Sequence, residues 1–338
     1  VSLAADLVRF GPHEGAHRVA ARAGLSVLVP LLVLLATDRL EWSAYAAFGA
    51  FTALYGRTVV GVARLRMQAL LALVLTAVIA GGVLVGSYDG RAWLAVPLAA
   101  VLAAAVSIGS DVGHWHPPGA LFPVFAFTAC ASVPSASADA VTAVLVAGAT
   151  ASFAVLVGSA GAAWRRLSGR APATPAAVRR GERRLRTHAL PCGAAVLVAG
   201  SLATAAGIGH PYWAMVSAVV PLAARSRTGQ VVRGLQRVVG TGLGLVVAAA
   251  LLAVDLDGLA VVLVVATLQV VAELLVGRNY AVALVAITPL ALLMVHLASP
   301  TPSRELLVDR GLETLIGVVV GLVVSGLAQR GRTATLHP

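Results

Sequence analysis

Long apolar runs, broken by short arginine- and glycine-bearing stretches, recur from one end of this chain to the other. Twelve can be placed, at 19–37, 43–56, 67–87, 93–110, 119–134 and 140–163, then 188–208, 212–224, 238–254, 258–276, 280–298 and 311–328. Most approach the roughly 20 residues that carry a helix across a hydrocarbon core. They are too continuous for the alternation of a barrel strand. A segment in lipid must also satisfy its own backbone N–H and C=O groups, so the runs predict helices. The expected fold class is an all-α polytopic membrane protein with about 12 transmembrane helices.

The runs come in two related sets. The stretch from Pro211 to Gly244 has an earlier counterpart from Glu41 to Val74: a shift of 171 positions carries Trp42 onto Trp213 and Arg66 onto Arg237. Joints correspond too, Ser87–Gly90 with Asp255–Gly258, Gly113–His116 with Gly277–Tyr280, and Ser132–Asp139 with Ser299–Asp309. These matches predict two parallel six-helix repeats, 1–164 and 188–338. Between them lies a basic linker, 165–187, with eight arginines and with Pro172 and Pro175.

Composition sharpens the class. Apolar residues make up 59% and charged ones 12%, too lopsided for a water-soluble core. The net charge of +11 could suggest nucleic acid, but all 25 basic residues are arginines and they sit between apolar runs rather than on one soluble face. With the N-terminus in the cytoplasm, only Arg39, Arg91, Arg304 and Arg310 fall outside, as the positive-inside rule requires. The expectation is a multi-pass protein of the inner (plasma) membrane with both termini cytoplasmic, partnered by lipid and not by nucleic acid. The run 19–37 follows a basic start and reads as an uncleaved first helix rather than a signal peptide. Cys130 and Cys192 lie inside apolar runs and read as buried, reduced thiols. His114 and His116 lack a carboxylate or cysteine cluster and read as an interfacial loop, not a metal site. No nucleophile, acid or base constellation stands out, so neither enzymatic activity nor a cofactor is expected.

Candidate chemistry concentrates in four places. The second run of each half is short, and short segments at matching positions in two repeats point to a substrate path. Trp42, Tyr45, Tyr212 and Trp213 on those runs either contact a substrate or form an interface belt. In Gly229–Gly240, Val232, Leu235 and Val239 share one helical face while Arg233 and Arg237 share another. That predicts a helix along the inner membrane surface, gripping lipid headgroups or presenting Arg237 to an organic anion. Gly240 and Gly244, and Gly317 and Gly321 with Ser325, form small-residue stripes for close helix packing. Polar and ionisable groups in the apolar runs or opening them complete the set: Gln269, Glu273, His296, Arg310 and Glu313. Glu273 is expected to pair with Arg237 or Arg278, and Arg310 with Glu313; otherwise one of the two carboxylates titrates and couples protons.

Three stretches of the second half carry a family resemblance. They are Tyr212-Trp-Ala followed by Arg233-Gly-Leu-Gln-Arg237-Val-Val-Gly-Thr-Gly242, then Arg278-Asn-Tyr-Ala-Val-Ala-Leu with Thr288-Pro289-Leu290, then Asp309-Arg-Gly-Leu-Glu-Thr-Leu-Ile-Gly317. Together they resemble the FUSC family of fusaric-acid-resistance and aromatic-acid-exporter-like membrane proteins; the first half matches only through Trp42 and Arg66. The resemblance implies a two-unit helical bundle, often a homodimer, exporting aromatic carboxylates or related organic anions. Arg66, Arg233, Arg237, Arg278 and Asn279 would then gather the anion, and Trp42, Tyr45, Tyr212 and Trp213 would contact its ring. Larger members carry a sizeable cytoplasmic domain between repeats that this chain lacks. An anion channel of the plant malate type, or a scaffold working through its basic linker, are the alternatives. The sorting of arginines has a direct check: single cysteines at Arg57 and Arg227 should be labelled from one membrane face and a cysteine at Arg91 from the other. Labelling of 57 and 227 from opposite faces would break the predicted topology.

Overall fold

A computed structural model describes residues 7, 9–13, 15–57, 59–168, 189–224, 226–254, 256–298 and 301–334, with 161–167 and 331–334 described in backbone only. Most of the expected linker 165–187 lies outside the described residues, as do Arg225, Asp255 and Ser299.

Each apolar run folds as a helix. In chain order these are α1 Ala16–Ala36, α2 Ser43–Ala50, α3 Val62–Gly86, α4 Arg91–Val112, α5 Leu121–Ser132, α6 Asp139–Leu167, α7 Ala189–Ala205, α8 Tyr212–Leu222, α9 Arg227–Leu252, α10 Gly258–Leu275, α11 Tyr280–Ala298 and α12 Ser303–Ala334. Among the described residues there is no strand. Eight of the helices, α1, α3, α4, α6 and α9–α12, are long and apolar enough to cross a membrane. The chain is thus an all-helical, multi-pass membrane protein. Local signals fix several helix starts. The Ser226 hydroxyl accepts from the Gly229 N–H at 3.1 Å to cap α9, and the Asn279 side chain accepts from the Val282 N–H at 3.1 Å to cap α11. Gly56 and Gly61 adopt positive φ, which lets the chain turn from the end of α2 into α3.

The short helices occupy the middle of the molecule. α2 continues as a tight 3-10 turn over Phe51–Leu54 and then ends, and all eleven residues of α8 are buried. α8 packs on α12, α7, α9 and α5; α2 packs on α6, α1, α3 and α11. Within the first half α3 also lies on α5 and α6, and α4 on α5. Six helices later α9 lies on α11 and α12, and α10 on α11. Across the halves, α1 packs on α10 and α7 on α4. Leu73, Val101, Leu145, Val246 and Val319 remain exposed on the outer faces of long helices, where lipid replaces water as solvent. Loops grouped on one side by the arginine pattern also touch one another. At one end the Gly56 N–H donates to the His116 carbonyl at 2.9 Å; at the other the Ser135 hydroxyl donates to the Val83 carbonyl at 2.8 Å.

One expectation needs correcting. Gly229–Gly240 is not a helix lying along the surface; it is the first part of the unbroken α9. Its polar and small side, Gln230, Gly234, Gln236, Arg237, Gly240, Thr241 and Gly244, turns into the protein, while Val231, Val239, Leu243 and Val246 face outward. The reason is that apolar side chains gain nothing by leaving lipid tails, whereas polar ones are costly there and need protein partners.

Small residues set the closest approaches. Gly240 and Gly244 lie against Ala281, Leu284 and Thr288 of α11, and Gly317 and Gly321 lie against the Ala214 and Ala218 carbonyls of α8. A side chain at either α12 position would collide with α8 backbone. Gly321→Leu is therefore expected to destabilise the protein by about 1–3 kcal/mol in reversible unfolding from mixed micelles. Gly242→Ala, on the open side of α9, should leave stability unchanged or raise it by up to about 1 kcal/mol. Equal effects of the two would contradict the packing described.

Candidate functional site

A cavity of about 750 Å³ lies between the two short helices and the helices that hold them. Its lining reaches from Arg57, Asp111 and His116 at one end to Ser135, His210 and Thr301 at the other, so it follows the long axis of the bundle. Aromatic rings supply the middle. Phe125 of α5 lies 5.1 Å from Phe48 of α2 and 6.2 Å from Tyr212 of α8, and Phe51 lies 4.9 Å from Phe122. Rings from the two halves thus meet across Phe125.

Two guanidinium groups face this wall from the second half. Arg237 is only 4% exposed; its Nε and Nη2 donate to the Ser217 hydroxyl at 3.3 and 3.2 Å, and Nη1 donates to the Tyr280 hydroxyl at 3.0 Å. Arg310 is 3% exposed and lies 3.7 Å from the Trp213 ring centroid, with no hydrogen-bond partner for Nε. Both line the cavity, and among the described residues neither forms an ion pair with a carboxylate. A buried cation is expensive unless its charge is answered. Here hydroxyls and an indole face answer part of it, in keeping with the cation–π attraction of arginine to tryptophan. What such a pair complements best is an anion, since each planar fork can hold a carboxylate in a bidentate way.

The opposite end is built on a different pairing. Glu273 of α10 is 7% exposed and accepts from Arg57 Nη2 at 2.9 Å. This ion pair joins the turn after α2 to α10, and so ties one half of the chain to the other. It replaces the expected pairing of Glu273 with Arg237 or Arg278, because Arg57 enters on a turn that no helical spacing relates to Glu273. Arg22 and Arg64 lie close enough to act on the same cluster electrostatically. On the connection between α4 and α5, burial and then the nearby Arg57 hold the His116 imidazole below its ordinary value. It therefore adds no charge at neutral pH.

The expected site residues divide accordingly. Tyr45, Tyr212, Arg233, Arg237, Gln269, Glu273 and Arg310 line the cavity. Trp213 is buried behind Arg310, so neither it nor Tyr212 is an interface-belt residue. Trp42 is half-buried beneath the Arg39 guanidinium, outside the lining. Arg233 is exposed at the mouth, its guanidinium over the Tyr280 ring. Arg66 is exposed on α3 and does not line the cavity, unlike Arg237, its match in the shift of 171 positions. The polar residue that turns inward near the start of α3 is Gln68, which donates to the Tyr55 carbonyl at 3.1 Å. Arg278 and Asn279 do not line it either. The Asn279 amide donates to the Leu7 and Arg9 carbonyls at 3.0 and 3.3 Å, and Arg278 lies over Phe10. Arg310 and Glu313 form no ion pair, the guanidinium turning to Trp213 instead. Arg57, Ser217, Tyr280 and the phenylalanine wall are not among the expected residues. Ser217, a lone polar residue within the apolar run of α8, was the one legible signal among them.

Comparison with known proteins agrees with the second-half motifs. Residues 197–324 match the family described as fusaric acid resistance protein-like. This fusaric-acid-resistance-like region contains α8–α11 complete and most of α12, and with them Tyr212, Trp213, Arg237, Glu273, Arg310 and Glu313. The chain is also similar to the uncharacterized membrane protein YvaC of Bacillus subtilis (strain 168), 29% identical over 144 residues, or 42% of this chain. The match spans 23% of that relative's length. No solved structure matches. Among the described residues no three His, Cys, Asp or Glu side chains come together as a metal site.

The Arg57–Glu273 pair can be tested by a double-mutant cycle. Arg57→Ala leaves a buried carboxylate alone and should cost up to about 3 kcal/mol, while Arg57→Ala combined with Glu273→Gln should cost less than Arg57→Ala alone. Strictly additive effects in thermal melts would show that the two side chains do not interact.

Proposed function

We propose that this chain is a secondary transporter of the inner (plasma) membrane that exports organic, foremost aromatic, carboxylate anions. In this reading it is built as two parallel six-helix repeats with cytoplasmic termini. The recurrence of the same helix pairs six helices apart supports the repeats, and the arginine sorting supports the orientation. The observation that carries the reading is the pair of buried guanidinium groups, Arg237 and Arg310, facing a wall of phenylalanine and tyrosine rings. A ring with a carboxylate has the matching halves, an apolar face for Phe125 and Tyr212 and a planar anion for the arginines. Arg233, exposed at the cytoplasmic mouth, raises the local anion concentration.

Both buried guanidinium groups, Arg237 and Arg310, come from the second half, so one anion per chain is expected rather than a symmetric pair. A second reading has its own support: the lining reaches both ends of the bundle, as an anion channel of the malate type would require.

Transport in proteoliposomes tests the proposal. In inside-out vesicles Arg237→Ala should lower uptake of labelled benzoate by about 10- to 100-fold, the worth of one lost charged hydrogen-bonding fork. Arg237→Lys should recover only part of it, since the charge returns without the fork. Unchanged uptake in Arg237→Ala would remove this residue from the mechanism. Large unitary currents in planar bilayers would identify a channel instead.

A further inference from the structure

Glu313 is the polar side chain that the anion site does not use. It lies on α12, three residues after Arg310, and is 0% exposed. No side chain hydrogen-bonds either of its carboxyl oxygens, only the His210 backbone turns toward them, and among the described residues no cation lies within ion-pair distance. Glu273 differs, because Arg57 answers its charge. A carboxylate buried with no partner is far more costly than a neutral carboxyl, so the arrangement seen here suits a protonated Glu313.

We propose that a proton on Glu313 is the switch that leaves Arg310 free to hold the anion. This rests on the reading of Arg237 and Arg310 as the anion site. Residues three apart on a helix are neighbours, so Arg310 can reach either the cavity or the Glu313 carboxylate. With Glu313 neutral, Arg310 stays over Trp213 at the cavity wall. Once Glu313 loses its proton to water, its carboxylate becomes the closest partner for that guanidinium and draws it from the anion. Anion binding and proton binding are then reciprocally linked: each favours the other by the same factor.

The surrounding groups fit this arrangement. On its own helix Glu313 faces Asp309, one turn earlier, and Arg310. From the segment entering α8 it faces the backbone of His210 and the Tyr212 phenol. Beyond Arg310 stand Arg237 of α9 and Tyr280 of α11. Asp309 makes a 2.8 Å hydrogen bond with His210, and both are partly exposed, at 18% and 15%. This pair lies beside the buried carboxyl at the end opposite Arg57, the outer end in the proposed orientation.

Equilibrium binding of labelled benzoate to the purified protein decides the matter, over a neutral-to-alkaline range where benzoate itself stays ionised. Wild-type affinity should fall by up to about tenfold per pH unit on the alkaline side. Glu313→Gln should bind with the high affinity at every pH, while Glu305→Gln, an exposed acid on the same helix, should behave as wild type. Weakly buffered wild-type protein on the alkaline side should also take up about one proton per bound anion, a measurement that needs no variant. A flat wild-type profile, no proton uptake, or a Glu313→Gln profile like that of wild type would overturn the switch while leaving the anion site standing. Failure of wild type to bind benzoate at any pH would overturn the transport reading, and the switch with it.

Discussion

A guanidinium held inside a bilayer has to be answered by something, and in this protein Arg237 and Arg310 are answered by hydroxyls and an indole ring instead of carboxylates. Ser217 and Tyr280 take up the hydrogen bonds of one, and the face of Trp213 stabilises the other. Such neutral partners reduce the cost of burial without cancelling the positive charge. A cavity wall that keeps its charge in a low-dielectric setting attracts an anion far more strongly than the same groups would in water. Pairing both arginines with glutamates would have given a quieter core with no uncompensated positive charge at the cavity. The contrast is visible in the same molecule, where the Arg57–Glu273 bond satisfies both partners and ties the two halves together.

Helix packing places these groups. Lipid tails are as apolar as leucine, so the helices are not driven together by hydrophobicity, and small residues and polar contacts fix the geometry instead. Gly317 and Gly321 bring α12 against the α8 backbone, which carries Arg310 to Trp213. Gly240 and Gly244 bring α9 against α11, which sets Arg237 beside Tyr280. The short helices matter for the same reason. α8 is short and wholly buried, so Tyr212, Trp213 and Ser217 are held at the cavity instead of at a lipid interface.

Much of this is legible in the sequence. The length and continuity of the apolar runs locate the twelve helices described above, and the paired glycines of α9 and α12 mark the contacts they make. Glu273 and Arg310 stand out because charge in an apolar run is expensive and has to be placed, and Arg237 stands out by its match to Arg66 and its place in the family-like motif. The limits are equally physical. Segment 229–240 looks amphipathic, but the pattern does not say which face turns inward, and in lipid the polar face does. Arg57 looks like one more positive residue at a membrane edge, since nothing local reveals that its turn reaches Glu273 on α10. Asn279 sits in a family-like motif, yet its amide secures the segment around Leu7 and Arg9. Arg66 matches Arg237 in register with the repeat but not in orientation.

The central claim is that the two buried arginines and the aromatic wall form one anion site. A structure of the protein with para-iodobenzoate, located by its iodine, tests this most directly. The account predicts a single strong iodine position inside the cavity near Phe125 and Tyr212, with the carboxylate turned to Arg237 and Arg310. Iodine found only on the lipid-facing surface, or a carboxylate turned away from both arginines, would contradict it.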